Sequence, residues 1–184
     1  HGAAAVYGPQ KGAEPEQVAQ LDRNLRRYAD VMEGTLGRPL RHEPGTGAAG
    51  GAGYALMAIA DRFASFEVRP GVEVVMDLTG FSEAVGGTDL VLTGEGKVDD
   101  QTAYGKTAMG VAARAHEAGA RCICFGGGIT DAGAEFMHGI GVVTMPVVER
   151  PMHLDDVVQA GTVPIARAAR RAAALIEMAG TLGQ

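Results

Sequence analysis

Between Thr93 and Thr102 the chain reads TGEGKVDDQT, which sets three carboxylates and a lysine among small and polar residues. Glu95, Asp99 and Asp100 offer the hard oxygen ligands that Mg²⁺ takes. Any of these carboxylates could instead accept the proton of an attacking hydroxyl. Lys97, and Lys106 further on, would offset the charge of a phosphate. Gly94 and Gly96 flank Glu95 and would let a ligand approach the main chain, while Thr93, Gln101 and Thr102 add hydroxyl and amide groups for substrate or phosphate. The plainer alternative is a polar loop whose acids cap the next helix. Gly126-Gly127-Gly128, after a later apolar run, is a second place for close backbone approach, or a turn built from flexible residues. Asp77 is a further candidate carboxylate, and Lys11 a candidate cation for phosphate or carboxylate.

Two familiar phosphate motifs are only grazed. Residues 45–50, GTGAAG, fit a GxGxxG spacing, with Gly47 and Gly50 as candidate binding positions. A dinucleotide fingerprint needs a strand directly before it, and RPLRHEP, with its two prolines, is no buried strand. A glycine-rich helix start that binds an anion, or close packing of a small-residue helix, fits better. Gly105-Lys106-Thr107 resembles the end of a P-loop, but Asp100 stands where the first glycine would be.

These groups need elements to hold them. DLVLT (89–93), RCICF (121–125) and the run 140–145 are continuous apolar strands. Helical patterns over 105–118 and 131–138 lie between them, and 154–180 follows with a break near Pro164. Strands alternating with helices imply a parallel sheet covered on both faces, an α/β fold whose ligand loops lie beyond the carboxyl ends of the strands. VEVVMDL (72–78) reads as a further strand, with a short helical piece near 81–86. The first 70 residues lack this rhythm. There AAAVY (3–7) reads as a short strand, and Val18, Leu21, Leu25, Tyr28 and Met32 predict an amphipathic helix over 15–33. The run from Tyr54 predicts another helix, to about residue 64. The expected division is 1–70 and 71–184.

Composition narrows the function classes. Glycine supplies 28 of 184 residues, about twice the usual share of roughly 7%, but without a period, which excludes collagen and linkers. A net charge of −6 with no basic run argues against nucleic acid, and no apolar run approaches the roughly 18 residues of a membrane span. Cys122 and Cys124, two apart on a strand, read as buried thiols of a reducing cytoplasm.

Taken together, GPQKGA (8–13), GTGAAGGAGYAL (45–56), DLTGF (77–81), DLVLTGEGKVDDQT (89–102), GKTAMGVA (105–112) and MHLDDVVQAG (152–161) resemble the bacterial two-domain glycerate kinases, in that family's order. The resemblance implies ATP and Mg²⁺ as cofactors, D-glycerate as acceptor and phosphoglycerate as product. It implies a Rossmann- or flavodoxin-like domain over 71–184 and part of an inserted α/β domain over 1–70. Glu95, Asp99 and Lys106 would be the catalytic residues, with Glu95 and Asp99 at the metal. Family members are about twice this long, and their N-terminal Asp-Ser-Phe-Lys-Gly-Ser loop has no counterpart here. The chain is therefore expected to be a fragment whose sheet is completed by an N-terminal half or by a second copy. The alternatives are a non-catalytic anion- or nucleotide-binding module and, from residues 45–50 alone, a nicotinamide-dependent oxidoreductase.

Overall fold

A computed structural model of the chain describes residues 2–99, 102 and 107–182. The chain folds as two units, one up to Arg69 and one from Pro70 onward.

The first unit is helical among its described residues. Helix α1 (Ala3–Tyr7) stands where AAAVY suggested a strand. Its Ala4 is buried, and a Cβ on Gly8 would sit 2.4 Å from the Ala4 carbonyl oxygen, so the segment closes on itself as a helical turn. Helix α2 (Pro15–Leu36) follows the predicted 3–4 spacing. Pro15 opens it at the first helical position, the Glu14 N–H donates to Gln17 Oε1 at 2.8 Å, and Gly37 ends it at φ 67°. Helix α3 (Ala52–Ala58) is shorter than the sequence suggested, and residues 60–62 form a separate 3-10 turn. The core of this unit joins Ala29 of α2 to Leu40, Tyr54, Met57 and Ala58.

One carboxylate ties the chain beyond α2 back onto that helix. Glu33 Oε1 accepts the N–H groups of Leu40 (2.8 Å) and Arg41 (2.7 Å). Its Oε2 accepts Arg41 Nε and Nη2 at 2.9 and 2.7 Å. The Arg41 guanidinium, and then these main-chain donors, hold the Glu33 carboxyl down from 4.5 to about 2. A carboxyl lowered on folding adds stability that is present above its unfolded pKa and is lost as pH falls through the folded value. The melting temperature should therefore drop as pH is lowered from about 5 to about 2, and Glu33→Gln should flatten that part of the curve. Thermal denaturation followed by circular dichroism checks this; an unchanged pH profile in the variant would remove Glu33 from the account.

The second unit is built on three parallel strands in the order β1 (Leu90–Val98), β2 (Arg121–Ile129), β3 (Val142–Pro146). Helices α4 (Gly71–Leu78) and α5 (Phe81–Val85) precede the sheet. The strand expected over 72–78 is thus a correction: its valines favour strands, but packing decides β propensity. Here the segment packs as a helix on α6 (Thr107–Glu117), with Val72 so close that a Cβ on Gly110 would lie 2.6 Å from its Cγ1. Pro70 directly before the segment was the available helix-start signal.

The crossover helices α6 and α7 (Asp131–Gly139) lie on one face of the sheet, as two crossovers of one hand stepping in one direction must. Ala108, Ala112 and Ala115 of α6 and Met137 of α7 pack there with Val91, Cys122, Cys124 and Val142. The cysteines share this face as free buried thiols. After β3 come α8 (Leu154–Gln159) and α9 (Val163–Leu182), split next to Pro164 as predicted. Ala168 and Ala172 of α9 cover Ile123 and Phe125 on the opposite face.

Candidate active site

The run that looked like a loop is largely strand. β1 continues through Gly94, Glu95 and Gly96 to Val98, and β2 through the three glycines to Ile129. Glu95 pairs with Gly126 and Lys97 with Gly128. The glycines allow this because the strands approach closely. A Cβ on Gly94 would lie 2.9 Å from the Phe125 carbonyl oxygen, and one on Gly127 only 2.6 Å from that of Gly96. Gly126 is hemmed in by Ile129 and Val98, whereas the space that a Cβ on Gly96 would take is open.

At the carboxyl end of β1 the polar groups form one connected set. Thr93 and Glu95 are half-buried, on the face that carries Cys124, the partner of Thr93. The Thr102 hydroxyl donates to Glu95 Oε1 at 2.6 Å and accepts the Asp99 N–H at 3.1 Å. The Thr102 N–H donates to the Asp99 carbonyl at 3.0 Å, closing a turn. Asp99 is 8% exposed, and its Oδ2 lies 3.3 Å from Nζ of Lys97, an exposed side chain. The Lys97 side chain is largely in water, so it presents a positive charge to solvent at this end of the strand. Burial, and then the nearby Glu95 carboxylate, push the Cys124 thiol up to about 11, so it stays protonated and is no nucleophile.

The start of α7 fixes the end of β1. The Thr130 N–H donates to the Val98 carbonyl at 3.0 Å, and Thr130 caps the helix by accepting the Gly133 N–H at 3.2 Å. Gly133 packs directly on β1, where a Cβ would stand 2.6 Å from the Val98 carbonyl oxygen. Sequence reading passed over Gly133; a glycine three residues into a short helix was its only signal.

Asp77 is exposed in the last turn of α4, not at a strand end. Gln101 and Lys106, with Asp100, lie outside the described residues. Lys11 and Gly50 belong to the first unit. They line a cavity of about 750 Å³ there, with Tyr7, Leu21, Tyr28 and Ala49. Gly47 packs against Ala3. Residues 45–50 carry no strand before them, which removes the dinucleotide fingerprint. A Cβ on Gly53 would fall 2.2 Å from the Gly45 carbonyl oxygen, so close packing accounts for this glycine. Ala49 takes φ 49° between them, a left-handed conformation that costs an alanine about 1–2 kcal/mol and that no sequence signal marked.

Among the described residues, no group of three or more His, Cys, Asp or Glu side chains could hold a metal ion. Two carboxylates at the edge of the sheet nevertheless suit Mg²⁺, which commonly takes one or two carboxylates together with substrate phosphates. No described helix is long and apolar enough to cross a membrane.

Residues 1–177 match the model of the glycerate kinase family. The chain is 43% identical over 173 residues to the glycerate kinase of Halalkalibacterium halodurans, covering 94% of this chain and 44% of that one. It is 37% identical over 177 residues to the glycerate 2-kinase of Escherichia coli, covering 96% and 45%. A crystal structure assigned as glycerate kinase 2 from Salmonella typhimurium LT2 superposes with a TM-score of 0.61 at 34% identity, covering 98% of this chain and 45% of that one. The chain thus spans a little under half the length of these relatives.

Proposed function

The chain belongs to the glycerate kinase family, and from that premise we propose that it carries part of an ATP-dependent phosphotransferase that converts D-glycerate to phosphoglycerate. Because it spans only part of its relatives, the activity is assigned to the full-length polypeptide that contains it. The name of the Escherichia coli relative favours the 2-hydroxyl as acceptor. A cytoplasmic location fits this reaction and the two free buried thiols.

The observation that carries the reading is the polar set at the carboxyl end of β1, the edge where parallel α/β sheets take their ligands. Phosphoryl transfer is mainly positioning and charge neutralisation. Glu95 and Asp99 are the carboxylates that would hold Mg²⁺, which supplies charge neutralisation on the phosphates when bound. A carboxylate here not engaged by the ion would orient the glycerate hydroxyl and accept its proton. Thr93 shares the face of Glu95 and would offer its hydroxyl to the same ligand, while Gly94 and Gly96 on either side would let a ligand near the main chain. Lys97 is the described cation at this edge, and Lys106 would add a second. Lys11, on the first unit, would meet phosphate or the glycerate carboxylate, with Gly50 beside it at the cavity wall. The division into an inserted domain up to residue 70 and a Rossmann-like segment from 71 belongs to the same proposal.

The test is steady-state ATP consumption by the full-length polypeptide with D-glycerate and Mg²⁺. Turnover that depends on both, with phosphoglycerate as product, is expected. ATP binding without glycerate-dependent turnover would instead make this a binding module, and the kinase reading would fall.

A further inference from the structure

Thr102 is fully buried, so no ligand can reach the hydroxyl expected to contact one. Its hydrogen-bonding capacity is instead turned inward. A threonine hydroxyl has one donor and two acceptor sites. The donor goes to Glu95 at 2.6 Å, a separation typical of O–H···O⁻ pairs and stronger than a neutral bond. One acceptor site takes the Asp99 N–H at 3.1 Å. The residue's own N–H returns to the Asp99 carbonyl at 3.0 Å. One hydroxyl therefore links the side chain of Glu95 to the main chain of Asp99, four residues later and past the end of the strand.

Left alone, a half-buried glutamate in the last pleats of a strand would sample several rotamers, and only some would face a reacting hydroxyl or ion. We propose that Thr102 is a positioning residue that selects the rotamer of Glu95 and keeps it in register with Asp99. The proposal rests on the assignment of Glu95 to the reacting centre.

The full-length polypeptide tests it by steady-state kinetics with ATP, Mg²⁺ and D-glycerate. Thr102→Val keeps the buried methyl group and replaces the hydroxyl with a second methyl. It should lower kcat about 10- to 100-fold, the usual effect of removing a group that orients a ligating or reacting side chain. Because the hydroxyl touches no ligand, KM for both substrates should change little. Thr102→Ser, which loses a methyl but keeps the hydroxyl, should recover most of the lost kcat. In a Glu95→Ala background, Thr102→Val should cause no further loss, because a residue that acts through another is silent once that other is gone. Glu95→Gln serves as the background if the alanine variant does not fold. Equal losses in the valine and serine variants would reduce Thr102 to a packing residue. So would a valine loss that persists undiminished in the Glu95 background. A wild-type kcat in the Glu95 variants is a different result: it removes Glu95 from the reacting centre, and this proposal with it.

Discussion

Glu95→Gln is expected to lower kcat about 100- to 10,000-fold, the range lost when a positioned acid–base or charge-stabilising group is removed. The substitution is chosen for what it preserves. Glutamine still presents an oxygen to the Thr102 hydroxyl, which approaches Glu95 Oε1 at 2.6 Å, so no buried donor is left unpaired. An alanine there would orphan that donor, at a cost of about 1–3 kcal/mol, and would mix a folding defect into the kinetics. The amide neither carries negative charge to a metal ion nor accepts a proton, so either role assigned to the carboxylate is lost while the hydrogen-bonded scaffold stays. Steady-state kinetics beside a thermal melt would check both halves. A variant with near-normal kcat would move the reacting centre away from Glu95, and a large fall in melting temperature would mean that the carboxylate is chiefly structural.

Gly133→Ala should destabilise the protein, against the usual sign of that exchange. Within a helix, alanine is ordinarily better than glycine by about 1 kcal/mol. Here the new methyl would stand 2.6 Å from the Val98 carbonyl oxygen, 2.7 Å from its carbon and 2.8 Å from the Asp99 Cα. All three are main-chain atoms that cannot swing aside. Either α7 lifts from the sheet or the end of β1 shifts, and overpacking of this kind costs about 1–3 kcal/mol. The Thr130 N–H bond to Val98 would stretch with it, so Asp99 would move from its place and kcat should fall as well. Urea denaturation measures the first effect and the kinetic assay the second. A gain in stability would show that α7 does not rest on β1 through this glycine.

How much of this was legible beforehand depended on the kind of signal. The three strands announced themselves as apolar runs because both faces of the sheet are covered, and α2 by its spacing, by Pro15 at its start and by Gly37 at its end. The valines of 72–78 misled because strand preference reports packing on a pleated surface, and here the neighbour is another helix. Strand lengths were underestimated for a related reason. The glycines of residues 94–96 and 126–128 resemble turn residues, yet Gly94 and Gly127 are small because the adjacent strand lies almost in contact with them. Glu95 and Asp99 stand out in the sequence only by their position after an apolar run, and β1 extends through Glu95 with Asp99 just beyond its end. The role of Thr102 could not be read from the sequence, since a spacing of seven residues reveals nothing about a hydroxyl folded back under a strand. Asp77 was proposed from a strand end that turned out to be a helix end.

The continuation of β1 through its glycines also limits how this segment can vary in length. Along a strand, successive side chains point to opposite faces, so a shift of one residue turns every later side chain over. Val91, Thr93 and Glu95 share the face of Cys122 and Cys124. A single insertion or deletion between Val91 and Glu95 would carry the carboxylate to the face that α9 covers and bring a neighbour into its slot. Two residues together would restore the face while changing the reach. Length variation in this stretch should therefore be tolerated by parity, with even changes surviving where odd ones fail.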